Sequence, residues 1–327
     1  GGVLIALAVC GLFVSFGISP VPAANPAKKF QANFIGDLSA QIKIIRRDRV
    51  LWLAVVGNTY FFAIAALIQL LIVIYAADVL GITDAQQTSY LQAATAIGIG
   101  LGSFAAGHLS GGKIEYGLIP LGSVGLTVCA GLLARSGLTF IHVAIDLALL
   151  GFFGGFFIVP IAALLQHRPA GGQKGAVLAA ANLISFVGIF AASGIYYLLT
   201  VLLKLTPPTV FLLVSIATLA ATIYVVTLLP DSLLRFLLWL ATHTLYRVRV
   251  MGRDNIPPKG GALFVCNHLS LADAVLLQSS TDRPIRFIML KAMYERPFIK
   301  TCARIMQAIP ISSELRPREM IKSLQTA

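Results

Sequence analysis

Apolar residues in this chain gather into long unbroken runs separated by short polar stretches. A helix needs about 20 residues to cross roughly 30 Å of hydrocarbon, and seven runs approach that length, near 1–19, 50–76, 88–110, 117–134, 138–165, 176–200 and 209–229. The pattern predicts seven membrane spans. After residue 230 the pattern changes. Leu233–Leu240 is apolar but too short to span, and it carries Arg235 and Trp239, as a helix lying in the membrane interface would. Alternation at Tyr246–Val250 predicts a half-buried strand. Ala262–Cys266, apolar throughout and preceded by the turn-rich Ile256-Pro-Pro-Lys-Gly-Gly261, predicts a buried one. Further strands are expected at Arg286–Leu290 and Ile309–Ser312, with helices near 296–306 and 317–326. This second part therefore reads as α/β.

Composition sharpens the division. The chain is 57% hydrophobic and 12% charged, with a mean hydropathy of +0.86, whereas about a quarter of an ordinary soluble domain is charged. Residues 1–230 hold 11 Lys+Arg and 6 Asp+Glu, and the last 97 hold 14 and 7. A polytopic domain over 1–229 is thus expected to run into a water-facing domain over 230–327. The net charge of +12 divides between loops and the second domain, and nucleic acid is not needed to explain it. The segment 20–49 carries Lys28, Lys29, Lys43, Arg46, Arg47 and Arg49, and Lys113, Arg168 and Lys174 fall on the same side; Arg135 and Lys204 fall opposite. Basic loops stay inside, which puts 20–49 and 230–327 in the cytoplasm of a multi-pass inner-membrane protein. Four cysteines are scattered without disulfide or zinc spacing. The chain opens without Met inside an apolar run, so residue 1 is expected to lie within a spanning helix that has been cut.

Within the spans, Gly98-Ile-Gly100-Leu-Gly102 and Gly151-Phe-Phe-Gly154-Gly155 look superficially like nucleotide loops. They lie inside apolar runs with no strand before them, so close helix packing is the better reading. Asp146 is the only carboxylate inside a span, and His142 precedes it by one turn on the same face. Ionisable groups in a span usually face a bundle interior or a wet path. The pair is therefore a candidate transport path for protons or a substrate head group, unless Asp146 simply reaches water at the helix end.

In the second domain, Asn267-His268-Leu-Ser270-Leu-Ala-Asp273 stands at the end of the expected buried strand. An Asp in the first turn of the next helix can fold back onto the imidazole and fix its tautomer, leaving the other nitrogen to take a proton from a hydroxyl. No G-x-S-x-G elbow competes, so the nucleophile would be the substrate's own alcohol. Ser270 and Asp273 also have the spacing of a helix capping box. Capping alone leaves His268 without a role. A metal site lacks a third ligand.

Two resemblances follow from these residues. The stretches Gly107-His-Leu-Ser-Gly-Gly-Lys113-Ile-Glu-Tyr-Gly117 and Gly151-Phe-Phe-Gly-Gly-Phe-Phe-Ile-Val-Pro160-Ile-Ala-Ala-Leu-Leu-Gln166 resemble the lysophospholipid-transporter branch of the major facilitator superfamily. The likeness implies the last helix of one six-helix half followed by the second half. The pattern N-H-x-S-x-x-D resembles the first block of the glycerolipid acyltransferases. It implies His268 as general base and Asp273 as its support, with Asn267 and Ser270 beside the substrate. The second block of that family carries an Arg directly after its strand; here Ser312-Ser313 follow Ile309-Pro-Ile311, and the phosphate role falls to Arg316 and Arg318. A third block would lie beyond Ala327, so only the N-terminal part of that domain is expected here, inactive by itself. Together the resemblances imply a fused protein that takes up lysophospholipid and reacylates it. The acyl donor would be acyl-carrier protein or acyl-CoA, with no bound cofactor and no metal. Two alternatives stay open: a transporter with a non-catalytic cytoplasmic docking domain, and a membrane-anchored acyltransferase whose helices transport nothing.

Overall fold

A computed structural model describes residues 2–19, 34–245, 248–252, 255–257, 259–270, 272–281 and 283–311. A helix occupies each of the seven apolar runs: α1 (Gly2–Ser15), α3 (Arg49–Asp78), α4 (Ala85–Ser110), α5 (Leu118–Leu133), α6 (Phe140–His167), α7 (Lys174–Tyr197, continued by a π turn at Leu198–Leu202) and α8 (Pro207–Leu228). Four of them, α3, α6, α7 and α8, are long and apolar enough to cross a membrane among the described residues. The expected seven is thereby qualified. The helices α1 and α5 run only 14 and 16 residues. In α4 the glycines, Gln92 and His108 dilute the apolar run.

Local chemistry sets the helix ends. Asp48 caps α3 by accepting from the amides of Val50 and Leu51, and Asp84 caps α4 through Gln86 and Gln87. Gly111 ends α4 with φ +55°, a left-handed position that glycine fills without strain. An element unforeseen in the 20–49 segment is α2 (Phe34–Arg47), whose Ile45 is fully buried while Arg46 lies over the Trp52 ring at 4.8 Å. Lys28 and Lys29 lie outside the described residues.

The tightest packing joins α4 and α6. A Cβ on Gly98 or Gly102 would overlap the backbone of Ala148 or Phe152, and one on Gly151 or Gly155 would overlap the backbone at Thr95 or Gly102 and Ser103. Each helix therefore presents a glycine pair to the other, which lets the two backbones touch. Hydroxyls and amides stitch the remaining helices. Ser123 and Thr127 of α5 meet Thr222 of α8 at 2.6 and 2.9 Å, Asn58 of α3 donates to Ser185 of α7 at 2.9 Å, and Tyr60 donates to Thr218 at 2.9 Å. In hydrocarbon these groups have no water to turn to, so they bond one another. Leu71, Ile72, Tyr75, Leu91, Leu133, Leu147 and Phe211 fill the centre.

The apolar segment after residue 230 is longer than foreseen. It forms α9 (Pro230–Leu245), whose Phe236, 2% exposed, lies so close to Gly117 at the start of α5 that a Cβ there would collide with it. Trp239 stacks on Phe236, and His243 stacks on Trp239. Beyond it come α10 (Ala272–Ser280), β1 (Ile288–Leu290), α11 (Lys291–Tyr294), α12 (Pro297–Ile305) and β2 (Ile309–Ile311). The two strands pair in parallel, Ile288 opposite Ile309, and α9 packs against α10 and α12.

Two expected strands do not form among the described residues. Residues 248–250 and 262–266 form no ladder, and Leu263 and Val265 are 84% and 83% exposed. A strand exists only where a neighbour takes its amides and carbonyls, and no neighbour lies beside this run among the described residues. Tyr246, Ser312, Ser313 and the helix expected near 317–326 fall outside them.

Candidate functional site

The His268 loop is built around one carboxylate. Asp273, in the first turn of α10, points its Oδ2 back along the chain and accepts from the amides of Leu269 (2.6 Å) and Ser270 (2.8 Å) and from His268 Nδ1 (3.0 Å). Ser270 Oγ in turn accepts from the Ala272 amide at 3.0 Å. Capping and imidazole orientation, weighed as rivals from the sequence, are thus done by the same side chain. The two amides, followed by the imidazole, hold the Asp273 carboxyl below the usual carboxylate range. With Asp273 accepting at Nδ1, the ring proton sits there and Nε2 keeps a free lone pair. The His268 side chain is 72% exposed, so Nε2 opens to solvent. Asn267 is exposed beside it.

Behind the loop, Gln278 on α10 is 2% exposed and clamps the next turn, donating to Arg283 O and accepting from the Ile285 amide. The Arg283 guanidinium reaches the carbonyls of Pro257 (2.6 Å) and Gly260. These bonds fasten the segment before His268 to the far end of α10, a positioning role that the sequence did not reveal. Arg316 and Arg318, expected at the phosphate, lie outside the described residues.

In the membrane part, the two members of the second candidate pair, one turn apart on α6, each also engage a further partner. His142 is engaged in the capping box of α6, its Nδ1 2.9 Å from Thr139 Oγ1. Asp146, 7% exposed, meets Arg135 at 4.0 Å, and its Oδ2 has no hydrogen-bond partner among the described residues. Arg135 stands in the turn joining α5 to α6, and its opposite charge was the available signal. At the other end of the bundle Arg168 Nε donates to Asp48 Oδ2 at 2.6 Å, joining the end of α6 to the cap of α3. That bond holds the Asp48 carboxyl low and the Arg168 guanidinium high.

Comparison with known proteins agrees with both halves. Residues 1–193 match the family described as Major Facilitator Superfamily, and residues 247–326 match the family described as Acyltransferase. The chain is similar to the lysophospholipid transporter LplT of Klebsiella pneumoniae, 32% identical over 205 residues that make up 60% of this chain and 51% of that protein. It is also similar to the LplT proteins of Cronobacter sakazakii (30% over 207 residues; 59% and 50%) and Pectobacterium carotovorum (30% over 204 residues; 59% and 49%). The chain spans about half the length of the curated relatives it matches. No solved structure matches it.

Proposed function

The chain belongs to the major facilitator superfamily and carries an acyltransferase domain after its membrane helices, and from that premise we propose that it moves lysophospholipid across the inner membrane and reacylates it. The observation that supports the chemistry best is the 3.0 Å contact from His268 Nδ1 to Asp273 Oδ2. His268 Nε2 takes the proton of a glycerol-backbone hydroxyl as its oxygen attacks the carbonyl carbon of an acyl thioester. The C–S bond breaks, the thiolate leaves and takes up a proton, and the acyl chain ends as an ester on the lysolipid. Asp273 keeps the imidazole in the needed tautomer and balances the imidazolium charge. Acyl-carrier protein or acyl-CoA supplies the thioester, and Arg316 and Arg318 hold the lipid phosphate.

In the full-length protein, His268→Ala should lower acyl transfer to lysophospholipid by about 10²–10⁴-fold with lysolipid uptake retained. Substantial turnover by the folded variant would overturn the mechanism and favour a non-catalytic docking domain. In the same reading Asp146, with Arg135 beside it, lines the transport path, and 230–327 faces the cytoplasm. A cysteine replacing Lys43 should then resist an impermeant thiol reagent in intact cells while one replacing Asp84 reacts.

A further inference from the structure

We propose that a cavity inside the membrane bundle seats the end of a single alkyl chain, an inference that rests on the lysophospholipid reading and deepens it. The cavity, about 80 Å³, is walled by α3, α4, α5, α6 and α8, with Phe61, Ile64, Ile99, Leu126, Leu150 and Val214 among its surfaces. Gly154 presents no side chain to it; a Cβ there would come within 3.1 Å of the Phe61 ring.

The wall selects the occupant. It holds no charged side chain. Its hydroxyls are already committed: Tyr60 donates to Thr218, Thr218 to Val214 O at 2.7 Å, and Thr95 to Leu91 O at 3.3 Å. Gln69, the remaining polar side chain, is exposed and stands at the cavity's edge. A head group or a file of water entering here would give up hydrogen bonds and find few in return. An alkyl chain arriving from the bilayer exchanges one apolar surroundings for another and fills a void, which adds dispersion contacts. One water needs roughly 10–15 Å³ by the same measure, so the cavity has room for several methylenes but not for a second chain. A chain lodged here also leaves the polar end of the molecule outside the bundle core.

The test uses the full-length protein in lipid nanodiscs, with Phe61→Trp as a reporter read against the unsubstituted protein, whose own tryptophans include Trp52 and Trp239. Lysophosphatidylethanolamine brominated at the chain end should quench it saturably, and the same lipid brominated next to the ester should quench it far less. Phe104→Trp, at a site 79% exposed on the bundle surface, should show only non-saturating quenching. Filling the cavity with Ala130→Phe should raise the half-saturating concentration about tenfold, the loss of roughly ten close carbon–carbon contacts between the chain end and the wall. Ala65→Phe, on the half-buried α3 wall, serves the same purpose if Ala130→Phe does not fold. Quenching at position 61 that ignores the bromine position, fails to saturate, or is unchanged by both filling variants would overturn the inference. Saturable quenching in a protein that transports no lysolipid would uphold the seat and refute the transport reading.

Discussion

Asp273 and Asp146 represent the two regions of this molecule, and each region uses its carboxylate in the opposite way. Asp273 lies in the first turn of α10 and accepts three donors from its own neighbourhood, so its charge is satisfied locally. Asp146 lies in the bundle 4.0 Å from the Arg135 guanidinium, and its Oδ2 has no hydrogen-bond partner among the described residues, so its charge is incompletely matched. In water an orienting carboxylate needs only short-range bonds. In a bilayer a carboxylate without full compensation is costly.

The comparison breaks most completely where helix backbones touch. Gly102→Leu drives a branched side chain into the Phe152 backbone and into α6. Overpacking commonly costs about 1–3 kcal/mol, and neither backbone can move aside, so the monodisperse species should largely disappear on size exclusion. A folded, fully stable variant would show that the α4–α6 contact is less close than described.

Asp273→Asn tests the loop side. The amide oxygen can still accept from Leu269 and Ser270, so the loop should persist while the imidazole loses its anionic partner. Acyl transfer should fall by about 10² or more, short of the ~10⁴ found when a buried triad aspartate is so replaced. Unchanged turnover would leave Asp273 as a cap alone.

Asp146→Asn tests the membrane side with two readouts. Removing a half-compensated buried charge should leave thermal stability unchanged or raise it, while lysolipid uptake slows about five- to tenfold, or about 1–1.4 kcal/mol in barrier. A lower melting temperature with uptake intact would make the carboxylate structural.

The smallest effect is expected at Asp48, whose partner Arg168 is partly exposed. Asp48→Asn keeps the cap but loses the ion pair, at a cost of about 0.2–1 kcal/mol. Because the folded-state carboxyl is held low, its contribution is fully present above the unfolded value of about 3.9 and is lost as pH falls through the folded value. The stability difference between wild type and variant should therefore be flat from neutral pH to about 4 and vanish below. A difference that instead grew on acidification would contradict the sign.

How much was legible beforehand differs between the regions for a physical reason. The seven apolar runs became seven helices because a bilayer forces each segment to satisfy its own backbone, which makes local sequence sufficient. The glycine pairs of α4 and α6 read correctly as packing surfaces. The strand at 262–266 failed because pairing is supplied by another segment. That His142 also closes the capping box of α6 through Thr139 was not foreseen, because the box is read from Ser, Thr, Glu or Gln spacings rather than from an imidazole.

The order of residues alone thus placed the seven apolar helices to within about four residues of their ends, and put His268, Ser270 and Asp273 in one short segment at the start of a helix. All of these depend on contacts within a few residues. Only the tertiary structure decided that Arg135 answers Asp146, that Arg168 closes on Asp48, that Arg283 ties down the segment before His268, and that five helices leave an apolar cavity between them. Those outcomes join residues 11 to 120 positions apart or more than two helices at once, and their free energy depends on distances that no local pattern encodes.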